Sequence, residues 1–231
     1  MRISTVGLDA DDTLWHNETI FRLTQDRFRA LMADHAAPEL LDARLAAVER
    51  RNLSLYGYGV KGFTLSLIET AMELTAGQPP GGIIAEILAA GREMLAHPVE
   101  PLPGVEAALA DLAGSHRLVL ITKGDLLHQE QKLAGSGLGD LFAAVEIVSE
   151  KDERTYRTLF ERHGAGPDAA AMCGNSIRSD ILPALAAGAH AAHIPYQLTW
   201  AHEIAAPPAN HPRFAELASI ADLPAWVRNL G

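Results

Sequence analysis

The chain has 231 residues, of which 48% are hydrophobic and 21% charged, and its formal net charge is −10. These proportions are ordinary for a soluble globular protein, and the length allows one large domain or a core domain with a smaller insert. The acidic balance, without a run of lysine or arginine, argues against nucleic acid or an anionic membrane as the main partner. No stretch is apolar enough to span a bilayer, Met1–Thr5 leads directly into the first predicted strand, and Cys173 is the single cysteine. We therefore expect a cytoplasmic protein.

The first predicted element is a short buried strand, Ile3–Leu8, which ends at a cluster of acidic residues. Asp9 and Asp11 are two residues apart, so their side chains can point to the same side of an extended segment. Two neighbouring carboxylates at the end of a buried strand are costly unless they are compensated, and Mg²⁺ is a natural compensation. The alternative is a solvated acidic turn without a role in chemistry.

Helical patterns follow from residue 15 to about residue 97. Short connections between the predicted helices favour a small bundle. The glycine-rich stretch Tyr56–Gly62 is predicted to be a loop between the second and third helices. The four predicted helices are Thr19–His35, Leu40–Leu55, Phe63–Leu74 and Ile83–Leu95.

Beyond Pro101–Gly104, predicted helices and strands alternate, which is typical of a parallel sheet with helices on both faces. The predicted fold class is therefore α/β: a doubly wound parallel sheet with an inserted α-helical bundle. The core domain is predicted to comprise residues 1–14 and 98–231, and the inserted domain residues 15–97. The predicted strands after the bundle are Arg117–Ile121, Ala144–Val148, Ala169–Cys173 and His190–Ile194. The helices between them are Val105–Leu112, Leu126–Leu133, Thr155–His163 and Ile181–Ala187.

The stretch Asp9-x-Asp11-x-Thr13 after an apolar strand resembles the first motif of the haloacid dehalogenase-like hydrolase superfamily. In phosphatases of that family the first Asp is the nucleophile and becomes an aspartyl-phosphate. The second Asp is the general acid and base, and the Thr helps to hold the loop. The resemblance implies these roles for Asp9, Asp11 and Thr13. It also implies that the inserted bundle is the helical cap of one subclass of the family, whose closure excludes water and shapes specificity.

Two later strand ends resemble the second and third motifs of the family. Val119–Gly124 matches an apolar strand that ends in Ser or Thr. This match implies that the Thr122 hydroxyl and the Lys123 backbone amide bind the phosphoryl group. Lys151, just after a strand, matches the lysine that balances the charge of the nucleophile and the phosphate, although Asp152-Glu153-Arg154 replaces the family's usual Lys-Pro-x-Pro.

The stretch Gly174–Asp180 resembles the fourth motif, which completes the family's metal site. Asp180 matches the second acid of that motif, whereas Asn175 stands where the first acid usually does. An amide oxygen can still bind a metal ion, but it carries no charge. The resemblance thus implies Mg²⁺ held by Asp9, Asp11, Asn175 and Asp180, and it leaves open which of Asn175 and Asp180 touches the ion directly.

Together these motifs favour a magnesium-dependent phosphatase that acts on a small phosphorylated metabolite as a monomer or homodimer. Nucleotides, sugar phosphates and glycolate-type phosphates all remain open as substrates. Lys61, in the predicted loop of the cap, is a candidate substrate contact.

Several alternatives remain. A 2-haloacid dehalogenase shares the nucleophile, but that branch typically lacks an acid at the position of Asp11 and needs no magnesium. A phosphonate hydrolase would need a cap lysine as a Schiff base, for which Lys61 is the candidate. A non-catalytic phosphometabolite-binding protein would keep the pocket but lose the nucleophile. A phospho-acceptor receiver domain places its acids on different strands and lacks an inserted bundle.

Overall fold

The computed structural model describes residues 2–230, and these residues form two compact units. The core unit comprises the residues up to Glu18, Val99–Lys123 and the residues from Gln129 onward. The helical unit comprises Thr19–Pro98 and Gly124–His128. Across residues 2–230, every helix is too short or too polar to cross a membrane.

The helical unit is built around four amphipathic helices whose apolar faces meet in one buried cluster. Phe28, Leu45 and Leu67 are almost completely buried in that cluster. Burying a leucine or phenylalanine side chain contributes about 1.5–3 kcal/mol, so this shared cluster stabilises helices that would be marginal alone. The helices are α1 (Glu18–Leu31), α2 (Pro38–Tyr56), α3 (Val60–Leu74) and α4 (Gly81–Leu95).

The predicted loop over Tyr56–Gly62 is wrong in its second half, because α3 already begins at Val60. Gly59 precedes the helix with φ +106°, a conformation that favours glycine and ends the loop there. Gly62 lies within the first turn, where an added Cβ would stand 2.8 Å from the Gly57 carbonyl oxygen. Close packing therefore explains this glycine, and Lys61 is a helical residue.

The core unit contains a six-stranded, wholly parallel sheet with the order β3-β2-β1-β4-β5-β6. β1 lies between β2 and β4, with Leu8 opposite Leu120 on one side and Cys173 on the other. This topology confirms the predicted doubly wound parallel sheet. It brings the ends of β1, β2 and β4 together at one edge, where sites form in such sheets. The strands are β1 (Thr5–Leu8), β2 (Arg117–Lys123), β3 (Ala144–Val148), β4 (Ala170–Gly174), β5 (His190–His193) and β6 (Phe214–Glu216).

Helices cover both faces of the sheet because side chains of each strand alternate between two apolar clusters. Val6 and Leu8 enter one cluster, with residues of α5 and α9, whereas Val119 and Ile121 enter the other, with residues of α7 and α8. The helices are α5 (Val105–Ala113), α6 (Leu126–Ser136), α7 (Glu153–His163), α8 (Leu182–Ala187) and α9 (Leu223–Arg228).

Candidate active site

The site begins where β1 ends, because the chain turns away from the sheet at Asp9. The Asp9 backbone N–H still donates to the Cys173 carbonyl oxygen at 2.9 Å, so the sheet ladder holds its backbone. The Asp9 side chain is buried, and its Oδ2 accepts a hydrogen bond of 2.8 Å from the Thr13 hydroxyl. A rigid strand and a short loop thus hold this carboxylate in one orientation.

Lys151 lies between two buried carboxylates. Its Nζ donates to Asp9 Oδ1 at 2.5 Å and to Asp180 Oδ1 at 2.7 Å, and its side chain is only 2% exposed. Burial raises the pKa of Asp9 to about 7, and the nearby Asp180 charge adds to this rise while Lys151 opposes it. Burial alone would lower the pKa of Lys151, but the two carboxylates raise it well above its usual value. Lys151 is therefore an ammonium group at neutral pH and supplies the positive charge of this cluster.

Gly174 makes room for Asp180. A Cβ at residue 174 would stand 2.2 Å from Asp180 Oδ2, a distance that no packing can accommodate. The same Oδ2 accepts a 2.9 Å hydrogen bond from the Ser176 backbone N–H, and a π-helical turn at Ile177–Ile181 presents Asp180 to it. Turns of this kind are frequent at functional sites. Both Asp180 oxygens therefore have protein partners, Lys151 and Ser176.

Asn175 lies against the first loop. One terminal atom of its carboxamide is 3.2 Å from each of three oxygens: Asp9 Oδ2, the Asp11 backbone oxygen and Thr13 Oγ1. With its nitrogen toward them, the amide donates hydrogen bonds. With its oxygen toward them, it adds a fourth oxygen atom to this group. The Asn175 backbone N–H also donates to Thr13 Oγ1 at 3.1 Å, so Thr13 connects the first and fourth motifs.

Asp11 has a separate set of partners from Asp9. Its Oδ1 accepts from Lys132 Nζ at 2.5 Å and from the Trp15 indole at 2.7 Å, and its Oδ2 accepts from Gln129 at 3.1 Å. Burial raises the pKa of Asp11, but these donors, Lys132 foremost, outweigh burial and lower the pKa below its usual value. Two lysines, Lys151 and Lys132, thus face three acids, Asp9, Asp11 and Asp180, so one formal negative charge remains without a lysine of its own.

The second motif joins this network through Gln129. The Gln129 amide nitrogen lies 2.8 Å from Thr122 Oγ1 and 2.7 Å from the Lys123 carbonyl oxygen. Thr122 is the penultimate residue of β2 and is almost completely buried. The same amide nitrogen therefore reaches both the acid of the first motif and the hydroxyl of the second.

The Lys123 side chain contacts an acid that the motifs do not include. Its Nζ lies 2.9 Å from Glu203 Oε1 and 2.8 Å from Ser179 Oγ. Glu203 also accepts from the Ser176 hydroxyl at 2.6 Å and from the Ser179 hydroxyl. Burial raises the pKa of Glu203, but Lys123 and the two serines outweigh it and lower the pKa to about 2.

Glu203→Gln is expected to destabilise the protein at neutral pH by about 2–3 kcal/mol. The reason is that the surroundings of Glu203 in the folded protein stabilise its ionised carboxylate. The folded pKa of about 2 lies below the reference value of 4.5. The contribution is therefore complete above pH 4.5 and is lost as pH falls toward 2. Urea unfolding of both proteins between pH 7 and pH 3 should show the two stabilities converge, and a difference that is constant with pH would contradict this. Glu216→Gln, an exposed glutamate, is the control.

Lys61 lies in the helical unit and forms an exposed ion pair. Its Nζ contacts both Asp125 carboxylate oxygens at 2.9 Å, and its side chain is 54% exposed. Schiff-base chemistry needs an amine that is desolvated or close to another cation. A solvated lysine paired with an acid does not provide this, which argues against phosphonate hydrolysis at Lys61.

The candidate residues of the four motifs thus lie together in one site, which is formed by contacts within the core unit. Asp9, Thr13, Lys151, Asn175 and Asp180 form one connected cluster. Asp11 and Thr122 share Gln129 as a partner.

Comparison with known proteins agrees with the predicted fold. The chain matches the family described as haloacid dehalogenase-like hydrolases over residues 3–188. The chain belongs to this family. A family member of known structure from Xanthomonas campestris is 43% identical, with 99% of this chain and 91% of that one covered and a TM-score of 0.89.

More distant structures share the fold. The HAD-type hydrolase YfnB from Bacillus subtilis, solved with bound magnesium, is 17% identical with a TM-score of 0.67, covering 99% of this chain and 100% of its own. A 2-haloacid dehalogenase from Pseudomonas syringae is 20% identical with a TM-score of 0.66 and the same coverage. No curated protein sequence matches the chain. The family match and the 43% identical family member show that the protein is a haloacid dehalogenase-like hydrolase.

Proposed function

We propose that this haloacid dehalogenase-like hydrolase is a magnesium-dependent phosphatase that hydrolyses a small phosphate monoester through an aspartyl-phosphate on Asp9. The observation that carries the proposal is the presence of two differently supported acids, Asp9 and Asp11. Asp9 is oriented by Thr13 and charge-balanced by Lys151, as a nucleophile requires. Asp11 has its own donors, which suits a separate proton-transfer role.

The reaction would proceed in two balanced steps. In the first, an Asp9 carboxylate oxygen forms a bond to phosphorus as the bond to the leaving oxygen breaks, and Asp11, which must first have taken up a proton because its pKa is low, gives that proton to the leaving oxygen. In the second, water attacks the phosphorus of the aspartyl-phosphate, Asp11 accepts a proton from the water, and the Asp9 carboxylate is restored. Lys151 and Thr122 would stabilise charge on the transferring group, where most catalysis of phosphoryl transfer resides.

The oxygens near Asn175 fit a magnesium ion. Mg²⁺ binds oxygen atoms at 2.0–2.1 Å in octahedral geometry, so neighbouring ligands lie about 3 Å apart. The 3.2 Å separations from the Asn175 carboxamide to Asp9 Oδ2 and the Asp11 backbone oxygen are close to this value. Bound there, the ion would neutralise charge on the phosphoryl group. Asp180 would also act through Lys151, whose Nζ donates to Asp180 Oδ1 at 2.7 Å.

This donor set depends on an amide and a backbone oxygen. Among the described residues, no three His, Cys, Asp or Glu side chains form a group that could hold a metal ion. With only one carboxylate and two neutral oxygens, magnesium should bind weakly, since its affinity depends mainly on charge.

Asn175→Asp is therefore expected to tighten magnesium binding by about tenfold, because it adds a charge beside the ion. The measurements are a magnesium titration by calorimetry and the rise in Tm with magnesium, both of which work without turnover. Asn210→Asp adds the same charge at an exposed position and is the control. Equal magnesium affinity in all three proteins would remove Asn175 from the metal site.

A dehalogenase remains the rival within the family, since both activities use the nucleophile. The presence of Asp11 favours the phosphatase, because the dehalogenase branch typically lacks that acid. A second proton-transfer group has no use when a halide leaves, whereas an alkoxide must be protonated.

We also propose a cytoplasmic location, because the single cysteine is buried and free and suits a reducing compartment.

The proposal is tested by measuring phosphate release from a panel of phosphorylated metabolites, with and without magnesium and chelator. Halide release from 2-chloropropionate is measured with the same preparation. Phosphate release that requires magnesium is the expected result. Halide release without phosphatase activity would establish the dehalogenase instead. A substrate that emerges from the panel also decides among nucleotide, sugar phosphate and glycolate-type phosphates.

A further inference from the structure

Helix α6 supplies two polar side chains to Asp11, although no part of α6 belongs to the four motifs. Gln129 and Lys132 are three residues apart, so they lie on the same face of the helix. Lys132 Nζ contacts Asp11 Oδ1 at 2.5 Å, and Gln129 contacts Asp11 Oδ2 at 3.1 Å. The two oxygens of this carboxylate are thus held from one helix.

Lys132 is buried to an extent that a structural lysine seldom is. The residue is 9% exposed, and its Nζ also contacts Asn17 Oδ1 at 3.3 Å. Burying an ammonium group is costly even when it is paired, and an apolar residue of similar size would often be as stable. The position of this charge is therefore better explained by what it does to Asp11 than by a contribution to stability.

A third donor completes the arrangement. The Trp15 indole N–H shares Asp11 Oδ1 with Lys132 at 2.7 Å, and Trp15 is 1% exposed within the core. Three donors, two from helix α6 and one from the buried Trp15, leave the Asp11 carboxylate a single orientation. Gln129 also reaches Thr122 Oγ1 at 2.8 Å, so this orientation is tied to the hydroxyl of the second motif.

We propose that Lys132 is a positioning residue that holds the Asp11 side chain in the orientation needed for proton transfer to the leaving group, once Asp11 has taken up a proton. This inference rests on the proposed phosphatase function. Lys132 acts through Asp11 and makes no contact of its own with the reacting atoms. Proton transfer depends on reach and alignment, so an Asp11 carboxylate that can rotate should transfer protons less efficiently.

The consequence differs between leaving groups. An alkyl phosphate such as glycerol phosphate expels an alkoxide, which needs a proton as the bond breaks. p-Nitrophenyl phosphate expels a stable phenolate, which does not. Loss of Lys132 should therefore slow the first step with the alkyl phosphate and leave the first step with the aryl phosphate nearly unchanged.

The test compares Lys132→Met with native protein and with Gln131→Met, an exposed residue of the same helix. Single-turnover release of alcohol or phenol is measured for both substrates. We expect Lys132→Met to slow alcohol release from the alkyl phosphate about 10- to 100-fold. Phenol release and KM should change less than about threefold, and Lys132→Arg should recover part of the loss. If the Met variant does not fold, Lys132→Gln replaces it.

A second measurement reports on Asp11 without turnover. The Trp15 indole proton is one of three tryptophan indole signals in the NMR spectrum, and Trp200→Phe and Trp226→Phe assign it by elimination. Lys132→Met should shift this signal, because the carboxylate that accepts its hydrogen bond moves. Gln131→Met should leave it in place.

The possible outcomes are distinct. A shifted Trp15 signal together with selective slowing of the alkyl phosphate supports the inference. An unmoved Trp15 signal, or equal slowing of both substrates, overturns it and leaves Lys132 a structural role. If native protein releases no phosphate from any substrate, the proposed function fails, and the Trp15 signal alone then decides whether Lys132 positions Asp11.

Discussion

Asp9→Asn is expected to lower kcat for phosphate release by at least about 10⁴-fold, because an amide cannot replace the attacking carboxylate. The fold should survive, since Lys151 keeps Asp180 as its partner and the pair remains neutral. The measurements are steady-state phosphate release, Tm, and mass spectrometry for a phosphoryl adduct after brief exposure to substrate. Native protein should show the adduct and the variant should not.

Asp34→Asn makes the same chemical change at an exposed position and serves as the control for handling and folding. Turnover near the native level in Asp9→Asn would show that Asp9 is not the nucleophile. An adduct located on another residue would contradict the assignment just as directly.

Lys151→Met is expected to be the most destabilising substitution in the site. Removing the ammonium leaves Asp9 and Asp180 as two buried like charges without a cation between them, and breaking a buried ion pair in this way costs about 3–5 kcal/mol. In a protein of this size that corresponds to a fall in Tm of about 10 °C or more. Activity should fall about 10²- to 10³-fold, because Lys151 supplies charge stabilisation near the nucleophile.

The loss of stability in Lys151→Met should also depend on pH, and the acids that lose their cation determine the direction of this dependence. Burial raises the pKa of Asp9 and Lys151 opposes that rise, so without Lys151 the folded state binds a proton on Asp9 more tightly than the unfolded chain does. Stability of the variant therefore rises as pH falls, and the deficit measured by urea unfolding should be smaller at pH 5 than at pH 8. Lys61→Met, which removes an exposed ion pair, should change stability by less than about 1 kcal/mol at either pH. A deficit in Lys151→Met that is as small as in this control would contradict the account of the cluster.

Local sequence patterns were sufficient for the elements that define the fold. The run Ala144–Val148 is a strand with the predicted bounds, and α5 and α7 differ from their predictions by one or two residues at an end. β6 and α9 went unpredicted because they offer little pattern. β6 is the three-residue stretch Phe214–Glu216, and α9 has six residues with a proline in its first turn.

The candidate site was only partly predictable, for a different reason. Asp9, Asp11 and Thr13 lie close together in the sequence, so they can be recognised as one motif. Lys132 contacts Asp11 across 121 positions, and Gln129 contacts it across 118. A lysine or glutamine on a helix looks like a solvent-facing residue unless the partner is known. Only the folded chain reveals that these side chains are buried against an acid.

Two glycines illustrate the same limit. In the sequence, Gly174 and Gly62 both suggest breaks in regular structure. In the fold, each leaves room for a neighbouring atom that a Cβ would meet: Asp180 Oδ2 at Gly174 and the Gly57 carbonyl oxygen at Gly62. The sequence pattern marks the positions, and the three-dimensional contact supplies the cause.

Glu203 determines where this chain can be shortened or joined to another member of the family. It lies beyond residue 188, where the match to the family ends, and it holds Lys123, Ser176 and Ser179 together. A shortened chain ending near residue 188 would carry all four motifs in order and still lack the anion that joins the second motif to the fourth. A chimera between members of this family should therefore keep this chain at least as far as Glu203. To keep the edge strand β6 and helix α9 as well, the junction must lie after α9.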